Sequence, residues 1–355
     1  MGVIQELKAV KRIKLNLNLK RKVVKMRNKF SKVFVVLLIL MSITLSFMSG
    51  CKPQTAKVTY PEKAVTIICP WAAGGGTDAL ARLMADQLQK KLGQPFVVEN
   101  KTGGGGATGH VAGALAKPDG YTLTLVTLEI ATMHWMGLTD VTVDNFDFVI
   151  QLNQDPAAVL VKADAPWKTI NDLLDDIKKN PGKFKFSGSG AGTIWDLSRI
   201  GMLNAAGIPV NSVTWIPTTG AAPSITELLG GHVDVITCSL PEAKSQLDAG
   251  LIKALAVMSD DRVATFPNIP TLKESGINWS SGTWRGIAVP RGTPQEIINI
   301  LYTNCNDIAN SSEFKDFMSQ RGFGIKIRNS EEFTQFAKEQ DQTWKEMLKL
   351  GGYAQ

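Results

Sequence analysis

The sequence predicts an α/β protein of two lobes, each a mostly parallel sheet flanked by helices, with a ligand cleft between them. Two observations carry this expectation. Ten short runs of β-branched or apolar residues alternate with amphipathic helical segments, and alternation of that kind implies parallel strands buried on both faces. Five polar, Gly-rich loops each follow one of those runs, and ligands in open α/β sheets bind beyond the carboxyl ends of the strands.

The strand candidates, in order, are Val65–Cys69, Phe96–Glu99, Thr122–Thr127, Phe146–Gln151 and Ala158–Val161. Phe184–Ser187, Val213–Ile216, Val233–Thr237, Ala254–Met258 and Gly286–Val289 complete the set. Among the helices, Leu80, Leu83, Met84 and Leu88 fall on one stripe. Thr169 and Asp172 form a capping-box start for Ile170, Leu173, Leu174 and Ile177, and Asn180-Pro181-Gly182 ends that helix. Thr293-Pro294-Gln295-Glu296 starts another. From Ser330 the tail reads as a long amphipathic helix whose Phe333, Phe336, Trp344, Met347 and Leu348 belong to the core.

Ahead of this lies an export signal. Val33–Met48 is apolar apart from Ser42, Thr44 and Ser46, with Arg27, Lys29 and Lys32 before it and Ser49-Gly50-Cys51 after it. A basic flank, a short apolar run and small residues are the parts of a secretory signal. The run falls short of the roughly 20 residues of a spanning helix. Residues 1–25 make the signal unusually long, which points to Met26 as the natural start.

That leader also explains the charge. The whole chain carries +7, but residues 1–50 hold 11 of its 39 Lys and Arg and one of its 32 Asp and Glu. The remainder is acidic by three, with no basic patch of the kind nucleic-acid binding needs. Cys69, Cys238 and Cys305 are odd in number and widely spaced, so they read as small buried apolar residues and not as a disulfide framework. His110, His134 and His232 lack metal-ligand spacing.

Pro70–Asp78 (PWAAGGGTD) leads straight into a helix. Glycines let backbone N–H groups approach a ligand, and the helix N-terminus adds partial positive charge, so the loop suits a carboxylate. Trp71 reads as a wall of that pocket. Asp78 is either a ligand contact or a helix cap. Gly104–Gly109 matches G-x-G-x-x-G with Glu129 downstream, yet the helix after it is short and an exported protein has no nicotinamide supply. It is set aside as a chance match, and no cofactor is expected. Neither a G-x-S-x-G elbow nor a P-loop occurs, and Ser187, Ser189 and Thr193 have no adjacent His. Such hydroxyls bind more often than they react.

PWAAGGGTDALAR (70–82), GQPFVVENKTGGGG (93–106) and PDGYT (118–122) resemble the solute receptors of tripartite tricarboxylate transporters, also called Bug-type extracytoplasmic receptors. LLGGHVD (228–234), Leu255-Ala256-Val257, Ile269-Pro270-Thr271-Leu272 and PRGTP (290–294) extend the resemblance over nearly the whole chain after Tyr60. Met48-Ser49-Gly50-Cys51 resembles a bacterial lipobox with Met in place of the usual Leu, which implies lipidation of Cys51 and a membrane anchor. The resemblance implies a type II periplasmic-binding-protein fold, a small organic carboxylate as ligand and two permease subunits as partners; a monomer is expected. It implies ligand contacts from Trp71, Ala72, Ala73, Gly74, Gly75, Thr77 and Asp78, from Thr127, and from Ser189, Gly190, Thr193, Thr218, Thr219 and Gly220.

Two departures bear on the ligand. Asp196 stands where the family commonly has His, and Thr218-Thr219 where it has Tyr-Lys. An acid at 196 would disfavour a second carboxylate nearby, so a monocarboxylate, an amino acid or another smaller polar solute is expected in preference to citrate. The expected domain plan is a leader over 1–50, a tether over 51–60, one lobe from 61–153 plus 284–355, and the other from 154–283. The lobes would cross near Leu152–Pro156 and Gly282–Gly286. The other readings are a sensory receptor for a signalling partner and an exported hydrolase or transferase.

Overall fold

In the computed structural model, which describes residues 2–47 and 59–354, the leader region forms one helix, Gly2–Phe47. Cys51, with the small residues before it and most of the tether after it, lies outside the described residues. No helix among the described residues is long and apolar enough to cross a membrane. The helix and the body from residue 58 onward are separate compact units.

The body is built on ten strands. These are β1 (Val65–Cys69), β2 (Phe96–Asn100), β3 (Thr122–Thr127), β4 (Phe146–Lys162) and β5 (Lys185–Ser187). They continue as β6 (Thr214–Trp215), β7 (Val235–Ser239), β8 (Ile252–Val257), β9 (Gly282–Pro290) and β10 (Ile325–Arg328). Their order is β2-β1-β3-β9-β4-β7-β5-β6, with β8 and β10 also pairing with β4.

The outer strands follow the sequence expectation: β1 pairs in parallel with β2 and β3, and β5 with β6 and β7. The two long strands add antiparallel pairing. β4 pairs with β9 from Phe146 to Pro156, and from Ala157 onward with β7 and β8. A chain that leaves one half along β4 and returns along β9 must run in opposite directions on the two strands. Two apolar clusters form the core, one within the first half and a larger one that fills the second half and runs back under Val126, Leu128 and Phe148 of the first. One contains Ile67, Leu80, Met84, Leu88, Leu125 and Ile287. The other contains Val159, Phe186, Leu197, Ile225 and Ile236, and takes in Phe333 and Leu348 from the tail.

Two differences from the sequence reading share one cause. Phe146–Gln151 and Ala158–Val161 are a single strand, and β9 begins four residues earlier than its apolar run. The intervening Asn153, Asp155, Thr283 and Arg285 are polar but buried. They break the hydrophobic pattern without breaking the strands, and Asn153 and Asp155 both accept from Arg285. β10, absent from the sequence expectation, is a four-residue Ile-Lys-Ile-Arg alternation whose Ile325 and Lys326 are exposed, too short a run to mark a strand by itself.

Thr169 and Asp172 form their capping box. The tail helix, Ser330–Thr343, is capped by Asn329 and Glu332 and is followed across Trp344 by Lys345–Leu350. Cys69, Cys238 and Cys305 are free and buried, and burial pushes the Cys69 and Cys305 thiols up to about 12.

Candidate functional site

Three helices begin at one cavity. Gly76–Leu92 follows β1, Ile194–Ala205 follows β5, and Ala221–Leu229 follows β6. Gly76, Thr77, Ile194, Trp195 and Ala221, all from their first turns, line that cavity. The first four N–H groups of a helix have no intrahelical acceptor and carry partial positive charge. Three such ends from both halves of the body make a cavity suited to an anionic group.

The loop before the first helix owes its shape to Asp78. Its carboxylate accepts from Gly74 N and Asn100 Nδ2, both at 2.9 Å, and pairs with Arg82 at 2.9 Å. Burial works against the charge, but the bonds from Arg82, Gly74 and Asn100 outweigh it and hold the carboxyl below its ordinary value. Gly74 turns back at φ 84°, a left-handed conformation that favours glycine. Asp78 takes neither of the two roles open for it: it does not line the cavity, and the helix is capped by Gly75, so its carboxylate shapes the loop instead.

Trp71 Nε1 donates to Thr127 Oγ1 at 3.1 Å, and Thr127 Oγ1 donates to Glu129 Oε2 at 2.5 Å. Glu129 Oε1 accepts from Ile194 N at 3.1 Å, reaching the helix start in the other half. Burial raises the Glu129 carboxyl above its ordinary value, against the pull of the Thr127 and Ile194 bonds. From the opposite side, Glu242 Oε1 accepts from Gly76 N at 3.3 Å and from Arg285 Nη2 at 3.1 Å. Each half thus sends one carboxylate to a helix start of the other.

Arg285 is the buried centre of this arrangement, 1% exposed. Its Nε donates to Thr77 Oγ1 at 3.0 Å, and its Nη1 to Asn153 Oδ1 at 2.6 Å and Asp155 Oδ2 at 2.7 Å. Burial pushes the Asp155 carboxyl up while Arg285 draws it down.

Of the residues expected from sequence, Trp71, Ala72, Gly75, Thr77, Thr127 and Ser189 line the cavity. Gly190, Thr218 and Thr219 line a hollow outside it, together with Trp71, Gly103–Gly106 and Tyr353. Ala73, Gly74, Asp78, Thr193 and Gly220 line neither. Thr193 donates to Gly190 O at 2.6 Å and also bonds Ser189 Oγ, and Gly220 caps the third helix. The two glycine turns abut: a Cβ on Gly190 would lie 2.9 Å from Gly105 Cα.

The expectation for Asp196 is corrected. It is fully buried away from the cavity, bonded to Arg199 at 2.7 and 2.9 Å, to Gly192 N at 3.0 Å and to Tyr353 Oη at 2.6 Å. Its charge is spent on Arg199, so it repels no ligand carboxylate. Sequence reasoning missed Glu242, Arg285, Trp195 and Thr283, and met Glu129 only within the nucleotide-like match. An arginine amid the apolar β9 run was the available signal.

Two α/β lobes joined by paired long strands, with helix starts converging on the cavity between, define a solute receptor of the periplasmic-binding-protein fold. The model of the tripartite tricarboxylate transporter family receptor matches residues 80–352, and the chain belongs to that family. A UPF0065 protein from the TAR-I ttuE–ttuC′ intergenic region of Agrobacterium vitis is 33% identical over 245 residues, 68% of this chain and 70% of the relative. The periplasmic binding protein BugD superposes with a TM-score of 0.78 at 31% identity, covering 83% of this chain and 99% of BugD. MatC from Rhodopseudomonas palustris with bound malate gives 0.76 at 25% identity, covering 81% of this chain and all of MatC. These relatives are solute-binding receptors and not enzymes.

Proposed function

We propose that this protein is an extracytoplasmic receptor, anchored by lipid on Cys51, that captures a small carboxylate-bearing solute and delivers it to the permease subunits of a tripartite tricarboxylate-type transporter. The observation that carries the reading is the convergence of three helix starts on one cavity between the lobes. The ligand carboxylate lies against the N–H groups of those starts that Glu242 and Glu129 leave free, with Trp71 as a wall, and the malate held by MatC is a ligand of the same chemical class. The lobes divide as residues 61–153 plus 284–355 and residues 154–283. They turn about the crossings on β4 and β9, and the receptor works as a monomer.

Native mass spectrometry of protein purified without refolding tests the capture. A retained organic acid below the mass of a peptide supports the reading. Retention of nothing, together with no thermal shift from any carboxylate, removes it. The anchor is tested separately. The chain should partition into the detergent phase, and Cys51→Ser should move it to the aqueous phase.

A further inference from the structure

We propose that Glu129 receives a cationic group of the ligand, so that the cavity selects a solute with one ammonium and one carboxylate over a dicarboxylate. This deepens the receptor reading above and rests on it.

The first argument is charge. Glu129, Glu242 and Asp155 are carried into or against one cavity, with Arg285 the single cation among them. Arg285 has five N–H donors, and four are already committed to Thr77, Asn153, Asp155 and Glu242. A dianionic ligand would enter an excess of negative charge in a site shielded from water, where Coulomb terms are large.

The second is acceptor capacity. A carboxylate offers about four lone-pair sites. Glu242 fills its own with Gly76 N, Arg285 Nη2, Ser239 N and Ser239 Oγ. Glu129 is met by Thr127 Oγ1, by Ile194 N and by its own backbone N–H. It therefore keeps an acceptor site that Glu242 lacks, and an ammonium brings three donors.

The third is the presence of unused donors for the other end. Thr283 and Trp195 are 3% and 4% exposed and line the same cavity. Neither the Thr283 hydroxyl nor the Trp195 indole N–H has a hydrogen-bond partner among the described residues, and both residues line the cavity. Thr283 lies two residues from Arg285 on β9, hence on the same face of the strand. Buried polar groups are normally satisfied, and a ligand carboxylate satisfies both.

The test is calorimetric titration of the full chain with matched pairs: L-alanine and propionate, L-aspartate and succinate, L-glutamate and glutarate, with malate added. A charge-assisted hydrogen bond predicts that in at least one pair the amino acid binds about tenfold or more tightly than its deaminated partner. Glu129→Gln should bring that ratio to within about threefold, since it removes the charge and keeps the shape. The wild-type ratios stand alone if the variant does not fold. Tighter binding of succinate, glutarate or malate than of every amino acid overturns this inference and leaves the receptor reading intact. A ratio unchanged in Glu129→Gln overturns the role of Glu129. Failure of every probe overturns both readings.

Discussion

Glu242 Oε1 meets Arg285 Nη2 at 3.1 Å across the cleft, joining the turn after β7 to the strand that returns to the first lobe. The guanidinium also holds Asp155 at 2.7 Å, and all three side chains are nearly sealed from solvent. Arg285→Gln leaves two buried carboxylates without their cation. Breaking a buried pair from one side costs about 3–5 kcal/mol, so urea unfolding of the variant should show a loss of that size. A loss under about 1 kcal/mol would mean the network is open to water.

Asp196 and Arg199 form the second buried pair, with side chains 0% and 6% exposed. Asp196→Asn should lower stability by about 3 kcal/mol or more and leave the order of ligand affinities unchanged. Calorimetric titration with citrate and with smaller acids checks the second half. A selective gain for citrate would return Asp196 to the ligand's surroundings.

His110 is fully buried and joins the start of its own helix to the end of β3. Its Nδ1 lies 2.9 Å from Gly106 O, and its Nε2 accepts from Thr127 N at 3.2 Å. Those partners place the proton on Nδ1, and burial lowers its pKa from 6.5 to about 4. The unfolded chain takes up the proton first as pH falls, so this contribution is complete above pH 6.5 and lost on the way down to about 4. The linkage is up to about 3 kcal/mol. Melting temperatures across that window should fall more steeply for the wild type than for His110→Gln; parallel curves would sink the assignment.

Gly109 is the last glycine of the nucleotide-like match, and its role is packing. A Cβ there would lie 2.6 Å from Pro70 Cα and 2.8 Å from Lys101 O, both backbone atoms. Alanine is the better helix former by about 1 kcal/mol, yet overpacking against fixed backbone costs about 1–3 kcal/mol or more. Gly109→Ala should therefore destabilise the protein in chemical denaturation. A stabilised variant would show that the loop can move aside.

The outer strands were legible because Val65–Cys69 and Thr122–Thr127 are apolar runs with turn residues at their ends. β4 and β9 were legible only in pieces. Asn153, Asp155, Thr283 and Arg285 look like loop residues in a linear reading, and their burial depends on partners up to 208 residues away. The same distance hid Glu242, whose visible signal was a local capping box with Ser239.

The sequence by itself determined the α/β alternation, the receptor family, and the Pro70–Asp78 loop with its helix start. These are local properties of spacing, glycine content and capping. Only the tertiary structure decided which charges face the cavity. Asp196 turns into its own lobe to meet Arg199, while Glu129 and Glu242 reach across to the opposite one. A side chain's charge is written in its residue type, but whether it is neutralised or presented to a ligand depends on what the fold brings beside it.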